Sequence, residues 1–257
     1  MAQTGWDPAQ YRRFAGDRLR PALDLLGRIH VDHPSEIVDL GAGAGNVTRV
    51  LRERWPGARI TGVDASPEML AEARATNPDM TWVEADLASW RPAGSLDVLF
   101  SNAALHWLPS HDTLFPRLLA DVKPAGVLAV QMPCNFASPS HTSIVEAVRS
   151  GPWRSKLEPL LRPVPVHAPA FYFDLLAPHT ADVEIWETEY VHVLKGEHPV
   201  KEWVKGTWLK PLLDALDPAD RLAFETCYAD LTDAAYPRRL DGRTLFPFRR
   251  LFIVARR

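Results

Sequence analysis

The stretch VDLGAGAGNVT, Val38–Thr48, sets three glycines at alternate positions, Gly41, Gly43 and Gly45, directly behind an apolar run. Ile37, Val38 and Leu40 read as a buried strand. NVTRVLRERW, Asn46–Trp55, reads as the helix behind it, closed by Pro56 and Gly57. A glycine turn between strand and helix lets the backbone approach a ligand closely. The dinucleotide fingerprint G-x-G-x-x-G needs glycine at position 46, where Asn46 stands, so the loop points away from a pyrophosphate. The spacing alone also describes a turn with no ligand.

The alternation of strand and helix extends to both sides. Upstream, Ala22, Leu25, Leu26 and Ile29 recur at helical spacing. Downstream, ARITGVDAS (Ala58–Ser66) predicts a second strand, and PEMLAEARA a helix with Pro67 in its first turn. MTWVEADLASW (Met80–Trp90) predicts a third strand, and LDVLFSNAALHWL (Leu96–Leu108) a fourth. HDTLFPRLLADV follows as a helix, and PAGVLAVQMP (Pro124–Pro133) as a fifth strand. Strands with helices between them predict an α/β, doubly wound, mostly parallel sheet. DVLFSN and GVLAVQM are near-continuous apolar runs, as expected of strands covered on both faces. DVEIWETEYVHVL (Asp182–Leu194) and FPFRRLFIVARR (Phe246–Arg257) raise the count to seven strands, the last expected to run antiparallel. The proline-rich stretch from Pro133 to Pro169 reads as an insertion in which Trp153, Leu157, Leu160 and Leu161 can pack. FYFDLLAP reads as a helix, and Pro199–Tyr236 as mostly helical. The expected organisation is one domain over 1–257. It comprises an N-terminal helical lid at 1–30, a cofactor-binding core at 31–133, and a helical cap formed by insertions at 134–170 and 197–240.

The 257 residues are 46% hydrophobic with a formal net charge of -3, enough for one well-packed core and without the basic excess of a general nucleic-acid binder. The two cysteines, Cys134 and Cys227, are far apart and outside any C-x-x-C motif, so neither a disulfide framework nor a metal site is expected. No run approaches the roughly 18 apolar residues of a membrane span. A cytoplasmic setting is the simplest expectation, with no membrane or nucleic-acid partner and a monomer or weak homodimer.

Ligands of a parallel sheet bind at the carboxyl ends of its strands. Four loops meet there. The first is the glycine turn. The second carries Asp64, suited to ribose hydroxyls; Ser66 is the better placed cap for the next helix, which leaves Asp64 free for a ligand. The third carries Asp86, a carboxylate able to accept from an exocyclic amine, or else an ordinary loop aspartate. The fourth carries Asn102, then His106 and Trp107, with Ala103 and Ala104 leaving room beside a reacting centre.

Together VDLGAGAGN, the acid after strand two, EADL, SNAALHWL and VKPAGVL resemble the class I S-adenosylmethionine-dependent methyltransferases, whose fold is Rossmann-like. The resemblance implies S-adenosyl-L-methionine as cofactor. It implies that Gly41, Gly43 and Gly45 hold its methionine end, Asp64 its ribose, and Asp86 and Leu87 its adenine, with Met69 packed on adenine or ribose and with Ala42, Ala65 and, on the fourth loop, Asn102 as further cofactor contacts. WDPAQYRRFAGDRLRPALDLL, AVQMP, FYFDLL, VEIWETEY and RLFIVARR further resemble the methyltransferases that esterify trans-aconitate. That likeness implies methyl transfer to a carboxylate of a tricarboxylic acid. A carboxylate is already ionised at neutral pH, so no catalytic base is expected. Arg250 is the leading residue for the acid substrate, because a guanidinium binds carboxylates through a fork of donors. His106, Trp107, Gln131, Tyr172 from the cap and Tyr11 from the lid are further substrate contacts on this reading. Methylation of another small molecule, a nicotinamide-dependent dehydrogenase and a non-catalytic cofactor-binding protein are the competing readings.

Overall fold

The computed structural model of the chain describes residues 15–164 and 166–257. In chain order the main elements are helix α1 (Ala15–Leu26), strand β1 (Glu36–Leu40), α2 (Asn46–Arg54), β2 (Arg59–Asp64), α3 (Pro67–Thr76), β3 (Thr81–Glu84) and β4 (Leu96–Asn102). There follow α4 (His111–Ala120), β5 (Val122–Pro133), α5 (Pro139–Ser150), α6 (Pro169–Leu176), β6 (Asp182–Leu194), α7 (Pro199–Lys205), α8 (Lys210–Asp214), α9 (Pro218–Ala235) and β7 (Thr244–Arg256).

The seven strands form one sheet in the order β3-β2-β1-β4-β5-β7-β6. β1 pairs in parallel with β2 and β4, β2 with β3, and β4 with β5, while β7 runs antiparallel to β5. This is the doubly wound, mostly parallel sheet that the alternation implies. The order reverses between β1 and β4, so their carboxyl ends open the crevice where such sheets bind ligands.

Two strands are shorter than their sequence pattern suggests. β3 stops at Glu84. Asp86 then makes a turn instead: its Oδ1 accepts from the Ala88 amide at 2.9 Å and its carbonyl accepts from the Ser89 and Trp90 amides. β4 stops at Asn102. Ala103 has φ of 54°, a left-handed conformation unusual for a residue with a Cβ, and Leu105–Trp107 form a single 3-10 turn.

The chain divides into two compact units. One comprises 18–134, 165–188 and 250–257; the other is built mainly from 135–164 and 189–249. The first holds the sheet core, where Val38, Leu40, Val63, Leu99, Leu128, Val130, Leu251 and Ile253 pack with Leu114, Phe115 and Leu118 of α4. Ala22, Leu25, Leu26 and Ile29 are all buried, so the apolar stripe read near the N-terminus is a core face. The second unit has its own core, in which Ile144, Trp153, Leu157, Trp203, Leu213, Phe224, Tyr228 and Phe246 come together. Trp153 and Leu157 of the proline-rich insertion are thus packed, whereas Leu160 is 38% exposed.

Candidate active site

The glycine turn is held by its neighbours on the sheet. The Gly41 and Ala42 amides both donate to the Val63 carbonyl, at 2.8 and 3.0 Å, which ties the end of β1 to β2. Gly41, Gly43 and Gly45 all have positive φ, at 86°, 55° and 82°. Two of them answer a packing demand as well. A Cβ on Gly41 would collide with Ala104 Cβ, and one on Gly45 would lie 2.5 Å from the Trp82 ring. Glycine therefore lets β4's terminal loop and the β3 tryptophan close on this turn.

Asp64 ends β2. Its Oδ2 accepts from the Gly43 amide at 2.8 Å and its Oδ1 from the Ser66 amide at 2.9 Å. Ser66 does cap α3, its Oγ accepting from the Met69 amide at 3.2 Å. The expectation that this leaves Asp64 free is corrected: the carboxylate braces the glycine turn. A carboxylate offers about four acceptor positions, so at least one remains for a ligand. Burial pushes the Asp64 carboxyl up, opposed by the amides of Ser66, Gly43 and Ala65. Ala65 is exposed, and Met69 is buried with its methyl end towards Gly43.

Asp86 is exposed and Leu87 buried. Their turn is pinned by a residue that no motif marked. Arg117 of α4 donates to the Trp90 carbonyl at 2.8 Å and to the Leu87 carbonyl at 3.1 Å. Asp39 is a second such residue. It is buried in β1, receives a 2.6 Å hydrogen bond from Thr48 Oγ1, and burial pushes its carboxyl up to about 7. Its signal in the sequence was a lone acid inside an apolar strand.

At the carboxyl ends of β4 and β5, Asn102 and Gln131 are register partners. Asn102 Oδ1 is buried without a hydrogen-bond partner among the described residues, and so is Gln131 Nε2. Gln131 Oε1 accepts from Arg250 Nη1 at 3.3 Å, and both side chains are buried. His106 is buried and its ring lies 4.7 Å from that of Trp107, which is 38% exposed. The structure therefore gathers Asn102, Gln131 and Arg250 on adjoining strands.

Tyr172 is placed differently from expectation. It is fully buried in the sheet core against Phe115, and does not belong to a cap surface. His111 Nε2 donates to the Leu105 carbonyl, so its neutral Nδ1 accepts from Tyr172 Oη at 2.7 Å, and that hydroxyl accepts from the His167 amide. The hydroxyl is occupied, and burial pushes its pKa up, further from ionisation. Tyr11 lies outside the described residues. In the second unit, sequence reading missed Asn135, fully buried with both amide atoms unpartnered among the described residues, and His141, which burial pushes down to about 4 beside the Phe136 and Trp208 rings. Among the described residues no group of three or more His, Cys, Asp or Glu could hold a metal ion, and no helix is long and apolar enough to cross a membrane.

The fold and this strand-end crevice define a class I S-adenosylmethionine-dependent methyltransferase. A methyltransferase-domain family matches residues 37–126. Among solved structures, the YcgJ protein of Bacillus subtilis shares the fold, with a TM-score of 0.59 at 16% identity over 93% of this chain and 98% of that one. Two curated relatives are named trans-aconitate 2-methyltransferase. The one from Azoarcus is 48% identical over 97% of this chain and 98% of its own. The one from Paracidovorax citrulli is 45% identical over 98% of each. The chain belongs to the trans-aconitate 2-methyltransferase family.

Proposed function

We propose that this protein transfers a methyl group from S-adenosyl-L-methionine to a carboxylate oxygen of trans-aconitate or a closely related tricarboxylic acid, giving a monomethyl ester. The observation that carries this reading is the 48% identity, spanning both chains almost end to end, with a relative of that name. Bound S-adenosylmethionine would supply an electrophilic methyl on a sulfonium. The chain's residues fit such a group. The glycine turn offers backbone at close range, Asp64 keeps an acceptor position for a ribose hydroxyl, and the orphaned Asn102 Oδ1 suits a donor such as an ammonium. Asp86, Leu87 and Met69 are assigned to the adenosine, with Ala42 and Ala65 beside them.

The acceptor needs no base, because a carboxylate is ionised well below neutral pH. The protein's work is to bind and aim it. Holding the oxygen in line with the methyl converts a bimolecular encounter into an oriented one, worth roughly 7 kcal/mol or more in favourable cases. Arg250 supplies buried positive charge for the acid, and His106 and Trp107 shape the space at the end of β4. The substrate is a small molecule, with neither nucleic acid nor membrane as partner. The protein is assigned to the cytoplasm as a monomer or weak homodimer.

The test is an assay with methyl-labelled cofactor and trans-aconitate, cis-aconitate, isocitrate and citrate in parallel. Ester should form on trans-aconitate with the highest kcat/KM. No ester with any of the four would overturn the reading, and calorimetry showing NAD bound in preference to S-adenosylhomocysteine would replace it with a dehydrogenase.

A further inference from the structure

Gln131 and Arg250 form a pair whose polarity is determined by chemistry. A guanidinium has donors only, so the Gln131 atom facing Arg250 Nη1 at 3.3 Å is the amide oxygen. The amide therefore cannot be flipped, and Nε2 points away from Arg250. That NH2 group is buried and has no hydrogen-bond partner among the described residues. Gln131 itself is fully buried. A buried donor left without an acceptor is costly, and a functional site can retain that cost.

The position of this donor is equally specific. Gln131 stands level with Asn102 in the β4–β5 register, and with Phe252 in the β5–β7 register. Arg250 lies opposite Pro133, two residues on, so its side chain shares Gln131's face of the sheet. β1 pairs with β4 through Asp39 and Phe100, which brings the end of β1, and the glycine turn after it, to the level of Asn102. The orphaned donor thus stands level with the strand ends at which such sheets bind ligands. The charge beside it is positive, and Nε2 can only donate.

We propose that Gln131 is a specificity-determining residue: its Nε2 donates to a carboxylate oxygen of the acidic substrate, with Arg250 positioning the amide and supplying the countercharge. This rests on the reading of the protein as a carboxylic-acid methyltransferase. An acceptor-only carboxylate satisfies the donor and the guanidinium together. Shielded from water, that hydrogen bond is stronger than it would be at an exposed site.

The experiment compares wild type with Gln131→Leu and Gln131→Glu. It measures KM and kcat for trans-aconitate, the Kd of S-adenosylhomocysteine by calorimetry, and the melting temperature. Gln131→Leu should raise KM for trans-aconitate at least tenfold and keep the S-adenosylhomocysteine Kd within twofold, with a modestly lowered melting temperature because the Oε1 acceptor of Arg250 Nη1 is lost. Gln131→Glu keeps the shape but replaces the donor by an anionic oxygen, and should raise KM further. Should Gln131→Leu fail to fold, Gln131→Glu carries the same comparison. An unchanged KM in a folded variant, with wild type active on trans-aconitate, overturns the role of Gln131 and leaves the activity standing. A lowered melting temperature with unchanged KM assigns Gln131 to structure alone. A wild type that neither methylates nor binds trans-aconitate overturns the activity and this role together.

Discussion

Asp64 Oδ2 accepts the Gly43 amide at 2.8 Å, so the acid that ends β2 shapes the glycine turn that ends β1. One carboxylate thus joins two of the loops assigned to the cofactor. Asp64→Asn keeps one amide acceptor and loses the charge. Hydrogen bonds to charged groups contribute about 1.5–3 kcal/mol each. The Kd for S-adenosylhomocysteine should therefore weaken about 10- to 100-fold, read by calorimetry. A Kd within twofold of wild type would separate Asp64 from the cofactor.

Gly45 begins α2 at φ of 82°, and a Cβ there would meet the Trp82 ring at 2.5 Å. Gly45→Ala should cost about 1–3 kcal/mol from backbone strain and overpacking combined. Trp82→Phe removes the outer ring atoms involved. In the double variant the packing part should be relieved and the strain part remain, so the two changes should be non-additive in denaturant unfolding.

Asp39 gives the folded state a pH dependence. Its carboxyl sits near 7 when folded, through burial and the negative Asp64, against an ordinary value of 3.8. Between these values the folded protein holds a proton that the unfolded chain has released, so stability falls as pH rises from about 4 to about 7. Asp39→Asn resembles the protonated form and can still accept from Thr48. Its melting temperature should lose this slope, matching wild type near pH 5 and exceeding it near pH 8. Parallel slopes for the two proteins would show that Asp39 is not the titrating group.

Arg117 closes the Asp86–Trp90 turn through the Leu87 and Trp90 carbonyls. Arg117→Met keeps much of the side-chain length and removes both donors. The Kd for S-adenosylhomocysteine should weaken about tenfold, the equivalent of one or two lost hydrogen bonds, while KM for trans-aconitate at saturating cofactor changes less than twofold. A shift in KM with Kd unchanged would place the turn on the substrate side.

Much of the fold was legible because its signals are local. Glycine turns, an N-cap serine before Pro67, and apolar runs such as Val127–Val130 depend on neighbours within a few residues, and each stands where the sequence placed it. The errors lie where a side chain far along the chain decides the outcome. Asp86 diverts the third strand into a turn held by Arg117, thirty-one positions later. Tyr172 carries a hydroxyl suited to a substrate, yet packing against Phe115 and the bond with His111 place it in the core.

By itself the sequence determined the order of strands and helices, because short-range periodicity encodes it, and its resemblance to known methyltransferases implied the class of cofactor and the family. The tertiary structure alone decided which polar atoms are paired. Asp64 has two amides, Arg117 spans a turn, and Gln131 is turned by Arg250 so that one buried donor faces away without a partner. Those facts depend on sheet register across β1, β4, β5 and β7. Register joins residues more than a hundred positions apart, and no local pattern records it.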